Sequence, residues 1–273
     1  MIARGLAEGT ISLYTRTVKH FLNLYPLPST RDIRNYSVRR LQEVTPTKVR
    51  NDQKALRSFF NFLEAEQLWL DNPAKGLQLL KTPKVTRQAP EKEHVDKLLL
   101  AWQDKENRLK QRLFITLFID TGIRISEACT LKIRNINLDQ MEIRVLGKGG
   151  KERVIPISPI TANMIKQYME KNPSLKPDGY LFPSNSKRGY QWRHNLEKSF
   201  RRLCKRLDIP RITPHMLRHY FATYALRNGA KLEIISKILG HSSIAITADV
   251  YRTIRQDEIR DEHQKFSPLS SGS

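Results

Sequence analysis

Residues 213–219 read Thr-Pro-His-Met-Leu-Arg-His, and this stretch predicts the start of the helix around which the rest of the sequence is best interpreted. Thr213 favours a helix N-cap, and Pro214 suits the first helical turn, where its missing N–H costs nothing. His215 and Arg218 are three residues apart and share one helix face. Free backbone N–H groups and the helix dipole favour anions at this end, so the pair indicates a phosphate site. A structural histidine beside a surface arginine would give the same pattern.

A second cationic side chain stands at another predicted helix start. Residues 121–127 read Thr-Gly-Ile-Arg-Ile-Ser-Glu, so Arg124 closely follows a glycine and Glu127 lies almost one helical turn further on. At that spacing the carboxylate can brace the guanidinium. An ordinary helix start with a capping glutamate and a surface arginine is the alternative interpretation.

A basic, glycine-rich turn separates two segments of alternating hydrophobicity. Met141–Val145 and Arg153–Ile157 alternate as β-strands do, which predicts an antiparallel hairpin. Its tip, residues 147–153, reads Gly-Lys-Gly-Gly-Lys-Glu-Arg, which is too short and wrongly spaced for a Walker phosphate-binding loop. The hairpin either carries Lys148 into a groove or ends in a solvated basic turn.

The C-terminal part of the chain adds a histidine on a tight turn and a tyrosine beyond it. Residues 239–243 predict one helix that ends at Gly240 and another that begins with a serine cap, with His241 exposed between them. Tyr251 lies further along the second helix. Taken singly, each residue is typical of an ordinary loop or amphipathic helix.

The charge of the chain points to a polyanionic partner. Among 273 residues, 48 Lys and Arg stand against 27 Asp and Glu, for a formal net charge of +21. Neutralising phosphates releases condensed counterions, so this excess favours nucleic acid over a merely basic surface. With no apolar run long enough for a bilayer and no signal-peptide pattern, we expect a cytoplasmic, nucleoid-associated protein that does not bind membranes. The two cysteines and the carboxylates show no metal-ligand pattern, so no metal is expected.

The first 80 residues predict a helical DNA-binding domain. Apolar residues recur at helical spacing from about Gly9 to Leu80, with a break at Asp71-Asn72-Pro73 before a last short segment from Ala74 to Leu80. A helix that begins at Thr45-Pro46 carries basic residues away from its apolar face. Four of them are predicted to contact DNA: Lys48, Arg50, Lys54 and Arg57.

A basic segment without periodicity separates this domain from the rest of the chain. Residues 81–90 contain two prolines and are predicted to be a linker, followed by a second domain over residues 91–273. That second domain is predicted to be mostly helical around a small antiparallel sheet. Further DNA contacts are predicted in the linker and the hairpin: Lys84, Arg87, Lys151 and Arg153.

Five ordered motifs resemble the successive active-site boxes of the tyrosine recombinases. They are Thr-Gly-Ile-Arg-Ile-Ser-Glu, Gly-Lys-Gly-Gly-Lys-Glu-Arg, His-Met-Leu-Arg-His, Leu-Gly-His-Ser-Ser and the tyrosine that follows. The likeness, to the Xer recombinases and to phage and transposon integrases, covers essentially the whole chain. It makes the first domain similar to the SAM-like core-binding domain of that family. The interval from His241 to Tyr251 is longer than in typical Xer proteins and resembles that of some conjugative-transposon integrases.

The resemblance implies which residues form and break bonds. Tyr251 would attack a DNA phosphate, without metal or nucleotide cofactor, and form a 3′-phosphotyrosine that preserves the bond energy for rejoining. Lys148 would protonate the departing 5′-oxygen, and His215 would act as general acid and base.

It also implies which residues hold the phosphate. Arg124 and Arg218 would clamp the non-bridging oxygens, because an arginine fork suits a phosphate better than lysine does. His241 would add a hydrogen bond. Glu127 and His219 would orient Arg124 and the local helix from behind.

The implied assembly is a mainly α-helical, two-domain clamp on a double-stranded DNA recombination site. Strand exchange would require a homo-tetramer on DNA, formed from protomers that are monomers or weak oligomers when free. The sequence leaves open whether a partner recombinase or accessory protein is needed, and whether the reaction is integration, transposon resolution or dimer resolution.

Three other functions compete with this interpretation. A non-catalytic DNA-binding protein on the same fold would not require the full set of reactive residues. A type IB topoisomerase or telomere-resolving enzyme shares the chemistry, but the short first domain and the Xer-like motifs favour recombination. A helix-turn-helix repressor would leave the hairpin and Tyr251 unexplained.

Overall fold

A computed structural model of the protein describes residues 8–82, 89–101, 108–147, 150–184, 189–190 and 193–240. The chain divides by its internal contacts into two compact units, Met1–Val85 and Thr86–Ser273. This division falls inside the predicted linker, residues 81–90, and the exact domain limits stay predictions. The described residues are mostly helical with a small antiparallel sheet, which confirms the predicted fold class, mainly α with an α+β second domain.

Helices form the first unit. They are α1 (Glu8–Leu24), α2 (Thr30–Glu43) and α3 (Pro46–Ala65). Ser29 caps α2, since its hydroxyl accepts from the Asp32 amide while the Asp32 carboxylate accepts from the Ser29 amide. Pro46 occupies the first turn of α3, as predicted.

The core of the first unit combines aromatic packing with one buried carboxylate. Phe21 meets Tyr36 edge to face, with ring centroids 5.1 Å apart. Asp52 on α3 is buried, and its two oxygens accept from Thr17 of α1 and from Arg40 of α2. Because these bonds satisfy both oxygens of a buried charge, they fix how α1, α2 and α3 pack.

The last short helical segment predicted from Ala74 to Leu80 is wrong, whereas the predicted break at Asp71-Asn72-Pro73 is present. From Glu66 to Leu80 the chain runs through turns and irregular backbone. Asn72 is the physical reason, because its side chain accepts from the Ala74 amide at 2.8 Å and donates to Asn61 at 3.0 Å. An asparagine that bonds to backbone two residues on makes a turn and competes with helix formation.

The second unit is built around a buried central helix. Its helices are α4 (Lys92–Leu100), α5 (Leu109–Thr121), α6 (Ile125–Cys129), α7 (Pro159–Glu170), α8 (Arg193–Arg206), α9 (Pro214–Arg227) and α10 (Leu232–Leu239). Helix α5 is apolar on nearly every side and packs against α7 and α9. Its buried Leu113, Leu117 and Phe118 belong to the main core of the unit.

The predicted hairpin is present, with each strand displaced by one residue. Strands β1 (Ile136–Asn137), β2 (Glu142–Leu146) and β3 (Glu152–Pro156) form an antiparallel sheet in the order β1-β2-β3. Ile143 pairs with Ile155, and both point into the core. The two residues of β1 are too few for a periodic signal, so the sequence did not predict that strand.

Gly122 joins α5 to α6 at a point of close approach. Its φ of +59° lies in the left-handed region. A Cβ built there would lie 2.6 Å from Leu239 Cδ2 and 2.7 Å from Phe221 Cδ1. Gly122 therefore lets α9 and α10 pack directly against the start of α6. Within the described part of the chain, no helix is long and apolar enough to cross a membrane.

We expect Gly122→Ala to destabilise the protein more than Gly229→Ala, as measured by chemical denaturation. Gly229 also has a positive φ, +83°, but a Cβ there meets nothing within 4 Å. Gly229→Ala should cost roughly 1–2 kcal/mol from the left-handed backbone alone. Gly122→Ala should add about 1–3 kcal/mol from overpacking. Equal losses in the two variants would show that the close approach at Gly122 does not constrain the fold.

Candidate active site

Arg218 lies in the first turns of α9 and is buried, unlike the surface arginine of the alternative interpretation. Thr213 caps this helix, since its hydroxyl accepts from the Met216 amide at 3.3 Å, as predicted. The Arg218 guanidinium donates to Gly122 O at 2.7 Å and to Leu239 O at 2.6 Å. These bonds use two of the five N–H donors of an arginine, so its aim is fixed while donors remain for a ligand.

Arg124 stands at the N-cap of α6 and is held from two sides. One nitrogen of its guanidinium donates to Glu127 Oε1 at 2.9 Å and another to Gly240 O at 2.6 Å. The other oxygen of Glu127 accepts from the Arg124 amide at 2.9 Å, which closes the start of the helix. About a third of the Arg124 side chain, 33%, remains exposed, so the guanidinium is both braced and accessible.

Glu127 is the carboxylate that connects these arginines. Its side chain is 3% exposed and also accepts both terminal nitrogens of Arg153, each at 2.8 Å. Burial opposes its ionisation, but hydrogen bonds from Arg153 and from the Arg124 amide outweigh burial and hold the pKa of Glu127 below its usual value. Glu127 is therefore a charged brace at neutral pH.

Three successive carbonyls at the end of α10 each accept a hydrogen bond from a different arginine. The pairs are Arg153 Nε with Ile238 O at 2.7 Å, Arg218 Nη2 with Leu239 O at 2.6 Å, and Arg124 Nη2 with Gly240 O at 2.6 Å. The last carbonyls of a helix lack partners within the helix, and its dipole favours cations there. This helix end thus gathers three guanidinium groups from separate parts of the chain.

The resulting cluster has an excess of positive charge. Three guanidinium groups face the one carboxylate of Glu127 within this group of four side chains. Burial, and then repulsion from Arg124, lower the pKa of Arg218 to about 9, so this arginine is still charged at neutral pH. Like charges held this close favour binding of an anion, and a phosphate is suited to paired guanidinium groups.

Two histidines of α9 lie on either side of Arg218 in sequence. His215 is exposed near the helix start. His219 is partly buried, and its Nδ1 lies 3.3 Å from the Thr223 hydroxyl of the same helix. Burial and the neighbouring His215 lower the pKa of His219, which favours its neutral form.

Several predicted site residues lie outside the described residues. They are Lys84, Arg87, Lys148, His241 and Tyr251. Two described glycines, Gly147 and Gly240, precede Lys148 and His241 in sequence and lie beside the arginine cluster. Gly240 ends α10 at φ +61° and precedes His241. A Cβ at Gly147, which precedes Lys148, would lie 3.8 Å from Glu127 Oε1.

The predicted DNA contacts on α3 do not form one surface. At about 100° of helical rotation per residue, Arg50, Lys54 and Arg57 lie within about 60° of one another, whereas Lys48 lies about 150° from them. Lys48 instead lines a pocket of about 230 Å³ together with Arg40 and other residues of the first unit. The sequence interpretation of all four on one face is therefore corrected for Lys48, and DNA contact by each residue stays a prediction.

The two hairpin residues predicted to contact DNA have different surroundings. Lys151 is exposed. The side chain of Arg153 is only 11% exposed, and each of its three nitrogens donates within the protein. The alternation of β3 contained the signal for this difference, since Arg153 is two residues from buried Ile155 and shares its face of the sheet. Sequence reasoning missed this inward arginine.

The charges and ligand groups of the described residues do not suit a metal ion. Across the part of the chain that the structure describes, no group of three or more His, Cys, Asp or Glu side chains is arranged to hold a metal ion. The charged groups gathered at the end of α10 are guanidinium groups, which bind anions rather than cations.

Comparison with known proteins adds independent information. A family model described as the phage integrase family matches residues 90–258. Tyrosine recombinase XerD of Halalkalibacterium halodurans is 30% identical over 98% of this chain and 94% of that protein. The XerD of Vibrio cholerae is also 30% identical, over 97% of this chain and 92% of its own length.

Solved structures give the same likeness in three dimensions. A crystal structure of XerA recombinase superposes with a TM-score of 0.59 at 26% identity, covering 98% of this chain and 95% of that one. XerH recombinase bound to a palindromic difH substrate has a TM-score of 0.73 at 20% identity, covering 93% and 78%. At the lower identity the match shows a shared fold.

We expect the free energy of unfolding of Glu127→Gln to fall less steeply than that of wild type as the pH is lowered from 7 to 3. The pKa of Glu127 is lowered in the folded protein, so its contribution is present above the ordinary glutamate pKa, about 4.3, and is lost as pH falls through the lower folded pKa. Denaturation of wild type and variant from pH 7 to pH 3 measures this. Glu93→Gln is the control, because Glu93 is exposed and pairs with Lys97 only at the surface. A constant stability difference between wild type and Glu127→Gln at all pH values would contradict the bracing role.

Proposed function

Because this chain belongs to the phage integrase family of tyrosine recombinases and is a site-specific DNA recombinase, we propose that Tyr251 attacks a DNA phosphate held by Arg124 and Arg218. The observation that carries this proposal is the shared anchoring of both arginines on the last turn of α10. That turn continues directly into His241, the next residue assigned to the phosphate.

The two arginines neutralise the charge that protects a phosphodiester. A DNA phosphate repels nucleophiles, and its charge shifts onto the non-bridging oxygens as a fifth ligand approaches phosphorus. Described residues accept two of the five N–H groups of Arg124 and two of those of Arg218, which leaves donors on each guanidinium for the oxygens. His241 would add a further hydrogen bond to the same group.

Bond formation and bond breaking then require two proton transfers. The Tyr251 oxygen bonds to phosphorus as its proton passes to His215, and the bond from phosphorus to the 5′-oxygen breaks as Lys148 protonates that oxygen. The product is a 3′-phosphotyrosine and a free 5′-hydroxyl, and reversal with a new 5′-hydroxyl rejoins DNA. The position of Gly147 beside Glu127 supports Lys148 in this role, because it brings the base of the hairpin to the arginine cluster.

Tyr220, the tyrosine of α9 closest to Arg218 in sequence, is poorly suited to act as the nucleophile. Burial and the charge of Asp96 raise the pKa of Tyr220, which makes its oxygen harder to deprotonate. Tyr220 also stacks on Tyr224, with ring centroids 5.8 Å apart. Both features suit a structural residue.

Double-stranded DNA is the partner of this enzyme family. The solved structures of related recombinases include complexes with DNA and multimeric assemblies.

We infer that this chain acts as a homo-tetramer on two recombination sites, because one active site cuts one strand and exchange requires four cuts. We also infer that the free protein is a monomer or weak oligomer and works at the nucleoid in the cytoplasm. Arg50, Lys54 and Arg57 would bind the DNA backbone from the first unit.

Covalent trapping tests the nucleophile. DNA that flanks the gene, nicked near the cleavage site so that the cut fragment diffuses away, should accumulate a denaturation-resistant adduct with wild type. Tyr251→Phe should bind this DNA with similar affinity and give no adduct, because phenylalanine lacks the attacking oxygen. Tyr220→Phe is the matched control and should still form the adduct. An adduct that persists in Tyr251→Phe and disappears in Tyr220→Phe would move the nucleophile to α9.

A modified leaving group tests the general acid. Lys148→Ala should cut normal DNA about 10²- to 10⁴-fold more slowly in single-turnover assays, since proton donation contributes on that scale. DNA with sulfur in place of the 5′-oxygen should restore most of the rate, because a thiolate leaves without a proton. Lys151→Ala, in the same hairpin, provides the comparison and should gain no such selective rescue. Equal slowing of Lys148→Ala on both substrates would assign the proton to another group.

A further inference from the structure

Arg153 is the residue of the arginine cluster to which the reaction assigns no part. It lies on β3, with 11% of its side chain exposed. Two nitrogens form a fork on the two oxygens of Glu127, each at 2.8 Å, and Nε donates to Ile238 O at 2.7 Å. All three nitrogens are thus engaged within the protein, which leaves this side chain badly placed for the DNA contact predicted from the sequence.

We propose that Arg153 is a positioning residue that holds the phosphate clamp in its reactive geometry. Through Glu127 it fixes the carboxylate on which Arg124 rests, and through Ile238 it fixes the turn of α10 that anchors Arg124 and Arg218. The inference rests on the proposed role of these two arginines in holding the scissile phosphate.

The geometry requires arginine rather than any cation. A guanidinium is planar and donates in two directions at once, so one side chain reaches both oxygens of Glu127 and a carbonyl of α10. A lysine ammonium at the same position would remain a cation beside Glu127, but it is a point charge that cannot keep this fork and the Nε bond together. The Arg124 guanidinium would then share Glu127 with a looser partner.

Close packing at Gly240 adds a steric reason. A Cβ at this residue would lie 2.9 Å from Arg153 Cδ and 3.0 Å from its Nε. The Arg153 side chain therefore lies flat against the glycine that ends α10 and precedes His241 in the chain. Any change of its shape alters the support of that turn.

The same side chain ties the hairpin to the clamp. Arg153 follows the tip that carries Lys148, and the base of the tip is closed by a hydrogen bond from the Gly147 amide to Lys151 O at 2.8 Å. Arg153 thus anchors β3 to α6 and α10 a few residues from the general acid. The phosphate clamp and the strand that follows the tip both depend on this anchor.

Arg153→Lys should separate cleavage from binding. We expect its DNA affinity, and the salt dependence of that affinity, to stay within twofold of wild type. Its single-turnover cleavage rate at saturating nicked DNA should fall about 10- to 100-fold, the usual effect of losing a residue that orients a reactive group. Arg144→Lys is the matched control, since Arg144 is exposed on neighbouring β2, and it should cut at the wild-type rate.

Lys151, in the same hairpin, serves as the comparison because it is predicted to contact DNA directly. Lys151→Ala should weaken binding and reduce the slope of log affinity against log salt by about 1, because one phosphate contact is lost. If Arg153→Lys gives that loss of affinity and slope, then Arg153 is a DNA contact and the proposal is overturned.

Cleavage of DNA with an uncharged scissile phosphate shows whether Arg153→Lys acts by misplacing Arg124 and Arg218 or by a general loss of structure. A methyl group in place of one non-bridging oxygen removes the charge that Arg124 and Arg218 neutralise. For each variant, the rate penalty is the fold decrease in cleavage rate relative to wild type on the same DNA. The penalties of Arg124→Ala and of Arg153→Lys should therefore both be smaller on methylphosphonate DNA than on normal DNA. An Arg153→Lys penalty that is equal on both substrates while the Arg124→Ala penalty shrinks would overturn the positioning role alone. An Arg124→Ala penalty that is equal on both would overturn the clamp itself, and the inference with it.

Thermal unfolding of each variant accompanies these assays. Should Arg153→Lys fail to fold, Arg153→Gln at lower temperature retains an N–H donor toward Glu127 and permits the same two-substrate comparison. A penalty that shrinks on methylphosphonate DNA supports the proposal with either variant, and an equal penalty on both substrates contradicts it.

Discussion

The last turn of α10 is the feature on which the active site depends, because its three carbonyls accept from Arg124, Arg153 and Arg218. Like charges do not gather without compensation. The helix end supplies partial negative charge, and Glu127 supplies a full one. Because each arginine comes from a different element, one helix terminus sets the distance between Arg124 and Arg218, the two groups proposed to hold the phosphate.

Different N–H groups of the same arginine serve to anchor the side chain and to bind a ligand. Described residues of the protein accept some N–H groups of Arg124 and Arg218, and in the proposed mechanism the others bind DNA. The bound donors fix direction before substrate arrives, so little reorganisation is needed when charge develops on the phosphate. Surplus positive charge among these four side chains favours an anion as the group that completes the site. Gly122 and Gly240 permit the close approach, since neither position has room for a Cβ.

Sequence reasoning succeeded where the signal is local. Caps at Ser29 and Thr213, glycine ends of helices, and the alternating strands follow from bonds between residues a few positions apart. It was wrong for residues 74–80, where the Asn72 side chain forms a turn, and it placed Lys48 on a face that helical geometry denies. The ordered motifs identified the family because their residue types are those that its chemistry requires.

The sequence by itself therefore determined the class of fold and the family, since these follow from local periodicity and from short motifs in order, and it predicted the reactive residues. Only the tertiary structure decided that Arg153 faces Glu127 rather than the solvent, and that Arg218 is buried. The partners of these arginines lie far away in sequence: Glu127 is 26 positions from Arg153, and Gly122 is 96 positions from Arg218. No local pattern encodes such contacts, because they form only when packing brings α6, β3, α9 and α10 together.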